Sequence, residues 1–240
     1  MIKIILFLFF CFFSFKSFSN EVQIINETIG NGLEVKNHSK ISVHYIGRLE
    51  DNTVFDSSYD RGQFFDFQIG VRKVILGWET GLLGMKEGGK RTIFIPYQLA
   101  YGESGAGNLI PPKSNLIFDI ELIKVTPPGY KEINSYQLKL AMTDDFKIID
   151  IRNEDQITSK NKIPGAINIT AFDINGNFFP DFLDKYRENV QTGEKVIFIS
   201  QRGDISSILA NGFVEQLKQN NIYHLKDGIS GLEKINFDFE

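Results

Sequence analysis

The chain has 240 residues, 42% of them hydrophobic and 23% charged, and a formal charge of -4. That length suits two domains of ordinary size, and the balance suits a soluble globular protein. Mild acidity with no basic run or stripe excludes a nucleic-acid partner. Residues 1–19 read as a secretory leader. Lys3 supplies the positive end, Ile4 to Phe13 is an unbroken apolar run, and Ser17 and Ser19 place small residues before a cleavage point. Cleavage is expected after Ser19, which predicts an exported protein, periplasmic or secreted. The apolar run is short for a membrane span, so the mature form is expected to have none, with an uncleaved anchor as the competing reading. Cys11 is the only cysteine and lies in this leader. The mature chain is therefore expected to lack a thiol, which excludes disulfides, cysteine catalysis and thiolate metal sites. His38, His44 and His224 show no metal-ligand spacing and are read as surface or strand residues, so no metal is expected.

The next stretch alternates. Ile41, Val43 and Tyr45 alternate with Ser42 and His44. Leu116, Phe118, Ile120 and Leu122 alternate with Ile117, Asp119 and Glu121. Period two with one largely polar face predicts an antiparallel sheet covered on one side. The cover is VILGWETGLLGMKEGGKR, residues 74–91, where Trp78, the only tryptophan, starts an apolar rhythm with Leu82 and Met85. That spacing predicts a short helix over 78–85, stopped by Gly88 and Gly89. Alone, such a stripe is more often core than binding site.

Three further stretches change that reading. VHYIGRLEDNTVFDSS (43–58), FFDFQIG (64–70) and AYGESGAGNLIPP (100–112) follow the order and spacing of a known family. With VILGW they closely resemble the FKBP-type peptidyl-prolyl cis-trans isomerases over residues 22–126. The resemblance implies an α+β domain, a twisted antiparallel half-barrel wrapped on one short helix. It implies a proline pocket with Trp78 as floor. Tyr45, Phe55, Phe65, Val74, Ile75, Phe118 and Ile110 would line it, and Asp56 would sit at its edge. Tyr101 would offer a hydroxyl and Ile75 a backbone N–H to substrate carbonyls. The implied partners are proline-containing peptides or unfolded proteins, with macrolides as inhibitors. Rotation about a peptide bond breaks nothing, so no cofactor is expected. Many family members carry histidine where this chain has Ala106, which bears on substrate side-chain preference.

Residues 127–130, Pro-Pro-Gly-Tyr, form a breaker cluster and the expected linker. Beyond it the pattern changes. KIIDI (147–151), AINIT (166–170), KVIFIS (195–200) and NIYHL (221–225) are short apolar runs. Helical patterns lie between them, at Phe182 to Val190 and at Ile205, Leu209, Phe213 and Leu217. Strands alternating with helices predict an α/β domain with a parallel sheet. DIR (150–152), IPGAIN (163–168), SQRGDIS (200–206) and LKDGISG (225–231) resemble the rhodanese family over residues 131–240. Where that family carries its sulfur on a cysteine, this chain has Ser200. A hydroxyl is far less acidic than a thiol and is a poor persulfide carrier. The resemblance therefore implies a domain inactive as a sulfurtransferase, with Ser200 and Arg202 in a degenerate loop able at most to hold an anion. Asp150 and Arg152 are expected to survive as a structural ion pair or as strand-end hydrogen bonds.

The sequence thus points to an exported, bacterial prolyl isomerase assisting protein folding, with a rhodanese-like module for client or partner contact. A non-catalytic proline-binding chaperone or scaffold is the alternative, and a sulfurtransferase is a third.

Overall fold

The computed structural model describes residues 20–158 and 160–240. The expected leader, residues 1–19, lies outside them. The chain divides between Thr126 and Pro127 into two units.

The first unit is built on β1 (Gln23–Thr28), β2 (Lys40–Leu49), β3 (Val54–Ser57), β4 (Phe65–Gln68), β5 (Lys90–Ile95) and β6 (Leu116–Thr126). Their order is β1-β5-β6-β2-β3, with β4 also on β2, and every pairing is antiparallel. The two longest strands, β2 and β6, form the central ladder, from Lys40 opposite Thr126 to Leu49 opposite Leu116. Alternation along both strands sends Ile41, Val43 and Tyr45 with Phe118, Ile120 and Leu122 to one buried face. This is the α+β half-barrel expected from the sequence.

The covering helix α1 spans Leu76–Gly81. It therefore starts two residues before the expected 78–85 segment and ends four residues short of it. Leu82 closes it with an N–H to the Trp78 carbonyl at 3.3 Å. Gly84 then reverses the chain at a φ of +75°. Val35 N–H donates to the Met85 carbonyl at 2.8 Å, and Gly84 N–H to the Val35 carbonyl at 2.9 Å. Trp78, Leu82 and Met85 are all buried as the rhythm predicted. Met85 is buried by a loop-to-loop backbone pairing, however, and not by a helical face.

Arg91 fixes the helix on the sheet. It is buried on β5 and donates from Nη1 to the carbonyls of Gly81 at 2.7 Å and Leu83 at 3.1 Å. Its Nε and Nη2 hold Glu27 of β1 at 2.8 and 2.5 Å. Carbonyls at a helix end have no partner within the helix, and here one guanidinium supplies them.

The second unit contains β7 (Lys131–Ile133), β8 (Phe146–Asp150), β9 (Ile167–Asn168), β10 (Lys195–Ile199) and β11 (Ile222–Leu225). The sheet order is β7-β11-β10-β8-β9, all parallel. Its helices are α2 (Ser135–Ala141), α3 (Phe182–Asn189), α4 (Asp204–Glu215) and α5 (Gly228–Glu233). Alternate residues of β8 and β10 feed two separate cores. Ile149, Val196 and Phe198 pack with α3 and α4. Ile148, Ile197 and Ile199 pack with α2 and α5. A sheet buried on both faces explains why its strands read as continuous apolar runs.

Two expectations are corrected here. On α4, Leu209 and Phe213 are buried, but Ile205 is 40% exposed, as is Leu217, which lies two residues past the end of the helix. Four residues turn a helix by about 400°, so a stripe at that spacing drifts about 40° per step off the buried face. His44 and His224 lie on strands as expected. His38 is neither exposed nor on a strand: it is buried in the turn before β2 at a φ of +63°.

Arg91→Ala leaves the α1 carbonyls without donors and Glu27 without its cation. We expect a loss of about 3 kcal/mol from the first unit, in the range for buried groups left unpaired. Urea unfolding followed by Trp78 fluorescence measures it, since the only tryptophan lies in that unit. An unchanged midpoint would contradict this account of how the helix is held.

Candidate active site

Trp78 stands on α1 facing the inner surface of the sheet. Four rings surround it. The Tyr45 ring meets it edge-on at 5.0 Å and 90°, and the Phe118 ring at 5.1 Å and 85°. Phe65 lies at 6.0 Å and 72°, and Phe67 at 5.4 Å and 48°. Edge-to-face rings at these distances attract by about 0.5–1.5 kcal/mol each beyond the area they bury. The indole Nε1–H is buried with no partner among the described residues.

The outer wall is made by Phe55, packed on Phe118 at 5.6 Å and 87°. Gly47 lies beneath both rings. A Cβ there would stand 2.7 Å from an atom of each, so only glycine lets the two phenylalanines close over β2. Val74 and Ile75 are half-buried beside the same core, on the segment that enters α1. Ile75 is the N-cap residue, and its carbonyl accepts from the N–H groups of Trp78 at 2.9 Å and Glu79 at 3.2 Å. Ile110 is buried, and its backbone pairs with Ala106 through two hydrogen bonds of 2.9 and 3.1 Å.

Polar groups lie at one edge of these rings. Tyr45 Oη–H donates to Asp56 Oδ2, and Arg61 Nη1 donates to Asp56 Oδ1. Arg61 Nη2 donates to Tyr45 Oη at 2.8 Å, and the guanidinium lies 5.5 Å from the Tyr45 ring centre. Burial pushes the Tyr45 phenol up to about 12, and the Asp56 acceptor adds to that. Burial works to raise the Asp56 carboxyl, but hydrogen bonds from Tyr45 and Arg61 and the Arg61 charge bring it below its ordinary value. Asp56 is thus a carboxylate fixed at the rim. Tyr101 follows the 3-10 turn Tyr97–Leu99 and is 41% exposed. Its phenol is raised by desolvation and then by the charge of Asp56.

Residues 32–123 match the family model for FKBP-type peptidyl-prolyl cis-trans isomerase, and residues 134–234 match that for a rhodanese-like domain. An FK506-binding protein of Neisseria meningitidis serogroup C is 53% identical over 94 residues, 39% of this chain and 86% of that protein. The chain belongs to the FKBP-type peptidyl-prolyl cis-trans isomerases. FK506-binding protein 2 of Yarrowia lipolytica is 53% identical over 92 residues, 38% of this chain and 64% of that protein. The chloroplastic isomerase FKBP13 of Arabidopsis thaliana is 50% identical over 109 residues, 41% of this chain and 52% of that protein. The chain thus spans less than two thirds of the length of these last two relatives.

Among the FKBP residues named from sequence, Tyr45, Phe55, Phe65, Trp78 and Phe118 form one connected set of rings, with Asp56 hydrogen-bonded to Tyr45. Sequence reasoning missed Arg61 and gave Phe67 no role in the site. The available signal for Arg61 was chemical: a carboxylate beside aromatic rings needs a cation, and Arg61 is in the turn that follows.

In the rhodanese-like unit, Ser200 follows β10 and is buried. Its Oγ accepts from the N–H groups of Gly203 at 3.1 Å and Ser206 at 3.2 Å, and it also bonds to Ser206 Oγ at 3.2 Å. Arg202 instead points outward, 76% exposed, and pairs with Asp204 at 3.2 Å. Both residues nonetheless line one cavity, together with Arg152 and Ser230. Asp150 and Arg152 form the expected buried ion pair, at 2.7 Å, with Arg152 also donating to the Asn161 carbonyl at 2.9 Å.

The Tyr45 phenol gives a pH signature. Unfolded, it ionises near 10, and folded near about 12. Between those values the folded state binds more protons, so stability falls as pH rises. We expect the first unit to lose stability from pH 10 to 12, and Tyr45→Phe to flatten that decline. Urea midpoints by Trp78 fluorescence, taken across this range in both proteins, check the slope.

Proposed function

We propose that this protein catalyses cis-trans isomerisation of X-Pro bonds in unfolded exported proteins, and that the rhodanese-like unit contacts clients or partners without sulfur transfer. The observation that supports this most is the set of rings packed around Trp78, with the Asp56 carboxylate held beside them by Tyr45 and Arg61.

The barrier to rotation is roughly 18–20 kcal/mol, set by amide resonance. Both isomers of an X-Pro bond lie close in energy. A catalyst needs no nucleophile. It must bind the twisted amide better than the planar one. The twisted amide has lost resonance, so its carbonyl is less polar and an apolar hollow disfavours it less. In this reading the proline ring rests on Trp78 between Tyr45, Phe55, Phe65, Val74 and Phe118. The Ile75 N–H and the Tyr101 hydroxyl donate to neighbouring substrate carbonyls, and Ile110 closes one side. Asp56, held by Tyr45 and Arg61, polarises the rim without moving. Such pockets combine apolar walls with a few placed polar groups.

Export is part of the proposal. It rests on the leader-like residues 1–19, with the periplasm or the exterior as the destination. Among the described residues no helix is long and apolar enough to cross a membrane. In the second unit, the strand-end position carries the Ser200 hydroxyl, already hydrogen-bonded within its own loop. A hydroxyl there offers sulfur no acidic carrier.

Proline-limited refolding of a test protein, with residues 20–240 added in catalytic amount, decides the matter. We expect acceleration that an FK506-type macrolide abolishes. Phe118→Ala should lower kcat/KM by about tenfold or more, roughly 1.4 kcal/mol of lost transition-state binding. Tyr101→Phe should cost only a few-fold, since it removes one hydrogen bond. Thiocyanate formation from thiosulfate and cyanide should stay at background. Macrolide binding without acceleration would leave a proline-binding scaffold instead of an enzyme.

A further inference from the structure

The polar rim of the pocket depends on how the chain leaves β3. Between β2 and β3 the ladder runs through Gly47 opposite Asp56 and Ile46 opposite Ser57. One step further, Tyr45 faces Ser58, and the regular pattern breaks. Ser58 N–H still donates to the Tyr45 carbonyl at 3.0 Å. The Tyr45 N–H, however, donates to the Ser58 side chain, at 2.7 Å to Oγ, and not to the Ser58 carbonyl. The Ser58 carbonyl is thereby released, and it accepts the Gln63 N–H at 3.4 Å. That bond spans the turn 58–63, which carries Arg61.

Ser58 Oγ is further held at 2.9 Å by His44 Nδ1 and at 3.3 Å by the Tyr45 carbonyl. The residue is fully buried. His44 is itself stacked on Tyr59 at 4.3 Å and tilted against Phe64 at 4.6 Å, both in or next to the same turn. One hydroxyl therefore does two jobs. It satisfies the backbone of Tyr45, and it frees a carbonyl to bend the chain so that Arg61 returns over the Tyr45 ring.

We propose that Ser58 is a positioning residue for prolyl isomerisation. Through the Tyr45 backbone and the 58–63 turn, it sets the spacing among Tyr45 Oη, Asp56 and Arg61. This rests on the isomerase reading above. Ser58 touches no substrate in this scheme, and its effect passes through the three rim groups. An alanine leaves the Tyr45 N–H buried and without its acceptor, a loss that buried polar groups do not tolerate without rearrangement. Ladder geometry alone would give the Tyr45 N–H to the Ser58 carbonyl, which is the one already committed to the turn.

The test is a mutant cycle on the full chain, read as kcat and KM for a proline-containing tetrapeptide. Ser58→Ala should lower kcat by about fivefold or more with KM changed less, since rim charge placement matters most in the twisted state. Ser58→Thr keeps the hydroxyl and should recover activity to within about twofold. In a Tyr45→Phe background, which already lacks the phenol joining Asp56 to Arg61, the Ser58→Ala loss should shrink to under half its size on a logarithmic scale, the mark of coupled groups. Trp78 fluorescence confirms that each variant is folded. Should the alanine variant fail to fold, Ser58→Cys replaces it, with near-equal volume and a weaker acceptor. Parental activity in folded Ser58→Ala or Ser58→Cys overturns the proposal. So does an equal loss with and without the Tyr45→Phe substitution, which marks a purely structural serine. An inactive parent protein overturns the isomerase reading and this proposal with it, whereas the two preceding results strike Ser58 alone.

Discussion

Trp78 is packed by rings from three different strands, and this packing is the constraint on which the first unit depends. Tyr45 comes from β2, Phe65 and Phe67 from β4, and Phe118 from β6. None of them can move without losing contact with the indole. The indole in turn stays in place because α1 is held to the sheet by Arg91, which ties the end of the helix to Glu27 on β1. The rings proposed to receive a proline are thus also residues of the core or packed against it.

The polar rim follows a different logic. Asp56, Tyr45 and Arg61 neutralise one another, so the rim carries a fixed dipole and little net charge. Two routes hold it there: the rings beneath and the turn beside it. A reaction that makes and breaks no bond has little use for proton transfer. It has use for charges that stay in place while the substrate amide loses its polarity. A tyrosine raised to about 12 and a carboxylate held below its ordinary value are both locked in one protonation state at neutral pH.

Much of this was legible in the chain itself. Strict alternation along 41–45 and 116–122 set the central pair of strands, and the Trp78, Leu82, Met85 rhythm named three buried residues. Short apolar runs alternating with helical patterns correctly signalled the parallel sheet of the second unit. What escaped was decided by contacts distant in sequence. The end of α1 is set by pairing with Val35, which no local rhythm encodes. The three-residue β7 is too short to show a period. Arg61 sits on a turn, where neither helical nor strand spacing predicts reach. In each case a tertiary partner overrode what local spacing implied.

The central ladder joins residues 40–49 to residues 116–126. Nothing resembling half a pocket can therefore exist in a partial chain. While the polypeptide is still being made, Tyr45 has emerged but its partner strand has not. Long-range strand pairing of this kind is intrinsically slow to form. The contacts of Tyr45 and Phe118 with Trp78 therefore come together only late, once the last strand of the first unit has joined the first long one.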